Sequence, residues 1–439
     1  VHELSTQELA REVGLPSAVF IVIGYVVGAT IFILPGSLAP ETGPAVFVAY
    51  ALAAIPAIVA GFVMAQIGAA LPVSGSIFIL LRDTLSVYAG FAYQWIMVSL
   101  GAVVVPLVAF GFADYLGYFA QDLNNRMVAA LLVLVFIALN AFGMSVASRV
   151  QNVLVVAFIA ALSVFGFGGI FAGDSTNLVP LFPMGYSALT IAAITAYFSY
   201  AGVFVIAEIA GEIRNPGRNV PLAILLAFVS IITLYIVVPL ALTMLIPWQD
   251  LGGQRMAVVT ASALFLPAPL VATIAIAALF AAATTVNSVM MGLSRDFYQG
   301  ANTGLFPAAF ARVNEKSRAP RNAVILVGSL SLLGVAIGGT ITSYAQLALI
   351  GLMIVQILTG VSLFRLPTLL PEAYNASSFR LPPRMLQAVA AAYIVFSAFF
   401  LFMLSSEKPH LLFIGLAYLL LGVIYQFVWT RSGKRADNE

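Results

Sequence analysis

Apolar runs of about 20 residues, each long enough to cross the hydrocarbon core of a bilayer, recur along this chain and constrain its fold more than any other feature. Inside a bilayer every backbone N–H and C=O must find a partner within the protein, so only helices and closed barrels span it. The runs here are long and continuous, unlike the short alternating segments of a barrel strand. They predict twelve transmembrane helices, at 16–38, 45–70, 86–118, 127–146, 150–172, 186–210, 220–246, 266–298, 322–339, 341–363, 385–405 and 409–430. The connections are mostly short, and no separate soluble domain fits between them. Composition agrees, with 62% hydrophobic and 8% charged residues and a mean hydropathy of +1.07. The fold class is an all-α integral membrane protein surrounded by lipid.

Lys and Arg set the orientation. With the N-terminus in the cytoplasm, only Arg126, Arg255 and Lys408 of the 19 basic residues lie outside, and all the others, Arg295 among them, are cytoplasmic. The bias also checks the span count, because one missed span would scramble the alternation. Residues 1–15 then form a cytoplasmic N-terminal segment and 431–439 a cytoplasmic tail of a multi-pass protein of the cell (inner) membrane. The opening "VHELSTQELAREVGLPS" carries three Glu and one Arg, unlike a cleaved signal peptide, which starts basic. There is no Cys, hence no disulfide or thiol chemistry, and a net charge of +2 is too small to suggest nucleic acid as a partner.

The stretch "GYVVGATIFILPG", residues 24–36, is unusual for a span because Gly weakens a helix and Pro breaks one. Two readings are open. Gly24 and Gly28 form a GxxxG pair suited to helix packing. Alternatively the helix is discontinuous, which is tolerable only where the freed backbone lines a cavity or is buried in protein. The second reading gains from a matching break in span 6, where Phe198-Ser199-Tyr200-Ala201-Gly202 again puts small residues mid-span. The two breaks lie five spans apart and so run in opposite directions. Residues 16–172 (spans 1–5) and 186–363 (spans 6–10) then form two inverted halves, with 385–430 (spans 11 and 12) left over.

Four stretches in order carry a resemblance: "REVGLPSAVFIVIGYVVGATIFILPG", "LPVSGSIFILLR" at 71–82, "FSYAGVFVIAEIAGEIRNPGRNVPLAI" and "SRDFYQGANTGLFPAAFARVNEKSRAP". Together they resemble the amino acid–polyamine–organocation superfamily of transporters. The sequence departs from that pattern at Thr30, where members usually have Gly. The resemblance implies the leucine-transporter-type fold, with helices 1 and 6 discontinuous, and secondary transport of amino acids by alternating access. No cofactor is implied.

In such a fold the free N–H groups of Gly28, Ala29, Thr30 and Ile31 would sit at a helix N-terminus and suit a substrate carboxylate. The carbonyls of Tyr25 and Val26, joined by those of Phe198, Ser199 and Ala201, would suit its ammonium group. The family's aromatic gate aligns with Phe198, with Tyr200 close by; ordinary bundle packing is the plain alternative for both. No carboxylate, Lys or Arg is expected at mid-membrane, which favours a neutral or apolar L-amino acid. Asp114 lies near the outer end of span 3. Glu208 reads as an interfacial residue, solvated or paired with Arg214 or Arg218, in preference to a proton relay. Asn140, Asn287 and Gln356 read as interhelical glue.

Span 5 has no Lys to act as a built-in cation, as some members of the superfamily carry. In span 8, Ala281, Thr284 and Thr285 share one helix face. By resemblance to sodium-coupled transporters of this fold, these three and the carbonyls of Gly24 and Val27 would hold Na+ as a coupling ion. Hydroxyls bonded back to their own helix are the alternative, and proton-coupled symport or exchange would then apply. A membrane enzyme finds no support, since neither HExxH nor GxSxG occurs, and no G-x-x-x-x-G-K-[ST] motif suggests ATP drive. A channel would not need two inverted broken spans; a transport-inactive sensor could share them.

Overall fold

A computed structural model describes residues 11–28, 30–120, 122–254, 256–314, 317–338, 341–407 and 409–436. Seventeen α-helices follow one another among them. Span 1 is built from α1 (Leu15–Val26) and α2 (Thr30–Thr42). Then come α3 (Val46–Ala70), a short α4 (Ser76–Thr84), α5 (Val87–Leu116), α6 (Asn125–Ala141) and α7 (Met144–Ala172). Span 6 comprises α8 (Gly185–Tyr197), a 3₁₀ stretch (Phe198–Phe204) and the single turn α9 (Val205–Glu208). The rest are α10 (Pro216–Leu245), α11 (Ala257–Ser262), α12 (Ala268–Asn302), α13 (Arg321–Ile337), α14 (Ile341–Leu369), α15 (Pro371–Ala376), α16 (Pro383–Glu407) and α17 (Pro409–Ala436). Among the described residues nine helical segments are long and apolar enough to cross a membrane, and three shorter apolar helices stand at the fourth, ninth and twelfth expected positions.

Local signals set several boundaries. Ser86 caps α5 by accepting from the Ala89 N–H at 3.1 Å, and Asn124 caps α6 by accepting from Arg126 and Met127. The sequence "PVSG" turns the chain between α3 and α4 with Gly75 at φ 71°, a left-handed conformation natural to Gly. The stretch after it is itself a helix, α4, whose inner face is buried.

The spans are not equal. In the most apolar window of α12, 67% of residues are buried inside the protein, against 28% for α16, so α12 is central and α16 peripheral. Helix α12 packs on α5, α7 and α1, while α10 packs on α3, α7 and α1. The two interrupted spans thus lie at the centre, enclosed by α3, α5, α10 and α12. Irregular backbone at membrane depth is satisfied there by protein in place of lipid.

Arg295, counted from sequence on the cytoplasmic side, lies within α12, 1% exposed, and donates to Glu212 at 2.7 Å. Its companions in "SRDFYQG" are still helical, because α12 runs through this motif to Asn302.

Candidate substrate site

The first break is three residues wide. Helix α1 ends at Val26 and α2 starts at Thr30, which leaves Val27, Gly28 and Ala29 between them; Ala29 lies outside the described residues. The second interruption differs from the sequence expectation. Span 6 does not open into extended chain but tightens into two turns of 3₁₀ helix, a form that within longer helices often marks a hinge. Glycine permits the two interruptions to meet. A Cβ on Gly202 would stand 2.8 Å from the Tyr25 ring and 3.0 Å from the Tyr25 carbonyl carbon.

One side chain that the sequence reading passed over joins both breaks. The buried Tyr235 hydroxyl of α10 lies 2.5 Å from the Val26 carbonyl and 3.0 Å from the Ser199 carbonyl. Both carbonyls lie at the breaks, and the Tyr235 hydroxyl, with one hydrogen to donate, stands within hydrogen-bond distance of the two. The only sequence signal was a Tyr in the middle of the seventh apolar run, where a polar tip needs a partner.

A cavity of about 70 Å³ opens between the breaks. Tyr25, Val26, Gly28, Thr30, Phe198, Ser199, Ala201, Gly202, Phe204 and Thr285 line one side, and Met97, Leu100, Val104, Leu107, Val108, Ala348 and Leu352 the other. Seven of the nine residues assigned from sequence to substrate binding therefore border one space. Ile31 is fully buried and does not border it. Phe198 borders the cavity; Tyr200 turns away, donates to the Tyr50 carbonyl at 3.1 Å and packs edge-on against Tyr235. The oxygens Thr30 Oγ1 and Ser199 Oγ are buried with no hydrogen-bond partner in the protein, two polar atoms that a ligand could satisfy. Among the described residues no Asp, Glu, Lys or Arg borders the cavity.

The electrostatics follow from the breaks. Helix α2 presents its unpaired N-terminal N–H groups, and the last turn of α1 presents carbonyls, so opposite partial charges face each other across three residues. Such a cradle suits a molecule that carries both signs at one end. The wall from α5 and α14 offers only carbon and the Met97 thioether to the other end.

Behind the cradle, Thr284 Oγ1 and Thr285 Oγ1 of α12 lie 3.1 Å and 3.2 Å from the Gly24 carbonyl, and 2.8 Å and 3.3 Å from the Ala281 carbonyl. The Tyr25 carbonyl is 3.5 Å from Thr285 Oγ1. Four of the five oxygens assigned to a cation thus converge; the hydrogen bonds of this cluster do not extend to Val27. The donor set is neutral, hard and oxygen-only, which fits a hard cation. Span 5 contributes an amide here instead of a charge. A Cβ on Gly24 would stand 2.0 Å from Gln151 Nε2, which shows how closely Gln151 covers it. Gln151 also bonds Ser288 and Asn287, and Asn287 bonds Asn140, each at 2.9 Å. Gln356 pairs with Tyr197 at 3.0 Å. The span amides therefore act as interhelical bonds, as their sequence positions suggested.

Glu208 corrects its sequence reading. It is buried, accepts from the Tyr93 hydroxyl at 2.6 Å and stands beside Asp296, with neither Arg214 nor Arg218 as its partner. The Arg214 guanidinium instead donates to the Arg11 carbonyl. At the same end of the bundle, Val13 exchanges backbone bonds with Glu212 and Arg214 at 2.9 Å, and the Gly75 N–H donates to the Glu208 carbonyl. The N-terminal segment, the α3–α4 turn and the end of span 6 are tied together there.

Comparison with known proteins agrees with this architecture. A family model described as "Amino acid permease" matches residues 13–427. The chain is similar to a methylthioribose transporter of Bacillus subtilis (strain 168), 26% identical over 86% of this chain and 85% of the relative. It is also similar to the branched-chain amino acid permease BcaP of the same organism, 25% identical over 98% of this chain and 95% of the relative. A b(0,+)-type amino acid transporter 1 of Mus musculus is 24% identical over 75% of this chain and 71% of the relative. With nearly the whole chain matched, and with broken spans enclosing a dipolar cavity, this protein belongs to the amino acid permease family, a multi-pass membrane transporter and not an enzyme.

Proposed function

We propose that this protein is a secondary transporter of neutral L-amino acids with apolar side chains, working by alternating access in the cell membrane with both termini cytoplasmic. The observation that carries the reading is the two-faced cavity: backbone of opposite partial charge on one side, uncharged apolar side chains on the other. The substrate carboxylate faces the start of α2, and its ammonium faces the carbonyls that end α1 and the 3₁₀ stretch. The side chain points to Met97, Leu100, Val104 and Leu352. Phe198 closes over it. A relative named for branched-chain amino acids supports this assignment. A cationic side chain calls for a carboxylate at the cavity, and among the described residues none borders it.

In competition for uptake into proteoliposomes, leucine, isoleucine and valine should displace labelled substrate at concentrations well below those of arginine, putrescine or glutamate. An unpaired charge in such a cavity costs several kcal/mol, so a preference of at least about 100-fold is expected. Selective competition by arginine would overturn the pocket assignment.

For coupling, the convergence of Gly24, Ala281, Thr284 and Thr285 supports sodium symport. The two hydroxyls lie within hydrogen-bond distance of the Gly24 carbonyl, and turning their hydrogens outward would free four oxygens for Na+. Amino acid affinity should then rise with sodium, and by linkage sodium affinity should rise with amino acid. Thr284→Ala combined with Thr285→Ala should remove the dependence. Equal leucine affinity in sodium and in choline, at fixed ionic strength, would exclude sodium coupling.

A further inference from the structure

Where the 3₁₀ stretch of span 6 runs into α9, two carboxyl groups share a dry site that substrate binding does not use. Glu208 of α9 and Asp296 of α12 are 3% and 2% exposed, and their carboxyl groups face each other. The Tyr93 hydroxyl of α5 sits 2.6 Å from Glu208 Oε1 and 3.2 Å from Asp296 Oδ2. It has one hydrogen to donate, so it can satisfy only one of them at a time. Glu208 Oε2 is buried and has no hydrogen-bond donor at all.

No counter-charge is at hand. The guanidinium of Arg295, next to Asp296 in sequence, is committed to Glu212 and the Ser294 hydroxyl. Helix α3 carries no charged residue. On α4, Arg82 and Asp83 pair with each other at the surface. On α14, Arg365 donates to the Thr84 carbonyl. Arg218 of α10 borders a groove on the outer surface of α3 and α10. From α5, Gln94 donates to the Asp296 backbone carbonyl at 2.7 Å and leaves the carboxyl untouched. Tyr25 of α1 lies within electrostatic range of the pair, on the side of the substrate cavity that it lines. Two adjacent carboxylates, buried without a cation, repel each other and lose their hydration, and a single proton held between them removes both costs. It also gives Glu208 Oε2 the partner it lacks.

We propose that Glu208 and Asp296 hold one exchangeable proton between them, with Tyr93 as the third member of the site, and that proton binding is linked to the conformational cycle. The linkage runs through Tyr25. Its ring packs on Gly202 of the 3₁₀ stretch that leads into α9, and it borders the substrate cavity within electrostatic range of the carboxyl pair. Movement of the inner half of span 1 away from α9 and α12 uncovers the pair to water at the Arg-rich end of the bundle, where the proton leaves as hydronium. Return of α1 requires a proton to be picked up again. The proposal goes beyond the sodium reading, since it uses none of the same oxygens and stands whether or not sodium is coupled.

The test uses the full-length protein in proteoliposomes, with equal sodium on both sides. An inward proton gradient of one pH unit should drive leucine accumulation of up to about tenfold if one proton moves per substrate. Leucine added to detergent-solubilised protein in weak buffer should also change the bulk proton concentration, read with a soluble pH dye. Glu208→Gln and Asp296→Asn each supply an amide donor in place of the shared proton. Each should abolish both responses while leucine–leucine counterflow, which needs no net proton movement, continues. Counterflow in the wild type tests the transport reading separately. Wild-type protein that shows neither accumulation nor a dye signal overturns the proposal, as does persistence of both in either variant. Should one variant fail in counterflow, the other decides.

Discussion

Gly28→Val is expected to remove measurable amino acid binding while leaving the helical bundle folded. A Cβ at this position would stand 2.1 Å from Thr285 Oγ1 and 3.3 Å from Thr285 Cβ, far inside contact distance. Thr285 cannot retreat without leaving the Gly24 carbonyl, 3.2 Å from its hydroxyl. Valine adds two further carbons toward the start of α2, where the substrate carboxylate would lie. Overpacking of this kind costs about 1–3 kcal/mol. Losing the helix-terminus contact to a carboxylate adds up to about 2 kcal/mol. The first cost falls on the stability of the fold and the second on affinity, up to about 30-fold, to which the steric block at the carboxylate position is added. Residue 28 lies in the gap between α1 and α2, so neither helix loses a ladder bond. The check is stabilisation of purified protein by leucine in a thermal denaturation series, together with the elution profile of the variant. Near-wild-type affinity in a well-folded Gly28→Val would exclude the cradle. Gly28→Ala meets the same Thr285 atom with a smaller group and should fall between the two.

The largest effect on stability is expected at Arg295. Its guanidinium donates to both carboxylate oxygens of Glu212, at 2.7 and 3.3 Å, and both residues are almost completely buried. Arg295→Met keeps most of the side-chain volume but leaves Glu212 charged and alone, which costs about 3–5 kcal/mol. Adding Glu212→Gln removes the stranded charge and should return most of the loss. The denaturation midpoint in detergent should therefore be lowest in Arg295→Met and higher in the double variant. Equal midpoints for the single variant and the wild type would show that the pair is not desolvated. The pair also anchors the Arg-rich end, because the Glu212 carbonyl accepts from Val13 and the Arg214 N–H returns a bond to the Val13 carbonyl. Weakening it should increase protease access to the N-terminal segment.

Residues not adjacent in sequence carry both the ion pair and the carboxyl pair, and this marks where sequence reading stops. "SRDFYQG" opens a stretch that resembles the family's exit from span 8, and lipid excludes a charged doublet such as Arg295-Asp296. Protein does not, when it supplies partners. Arg295 meets Glu212, and Asp296 meets Glu208 and Tyr93, only because α12 lies against span 6 and α5 at that depth. The charge excess on one side of the predicted bundle is a property of the loops. The two acids and one Arg that escape the loops are a property of the packing.

The helices themselves were legible from residues alone. Among the described residues the twelve apolar runs are helical, two of them interrupted, with ends up to six residues from those expected, because backbone in lipid must find its partners within the helix. The first break was legible in part: Gly28 lies in it, whereas Gly24 sits within α1 and α2 continues through Pro35, so the proline did not mark the interruption. That Phe198–Phe204 would wind into 3₁₀ helix was not, because small residues permit close packing without dictating which carbonyl each N–H chooses. Tyr235, Gln151 and Asp296 were missed for a related reason. Each lies in or beside an apolar run that looks alike on every side, and only the neighbours decide which face of that helix meets another. Hydropathy adds along a chain and is read in one dimension. A hydrogen bond or a shared proton depends on the rotation of a helix about its axis, which the packing of the other spans sets.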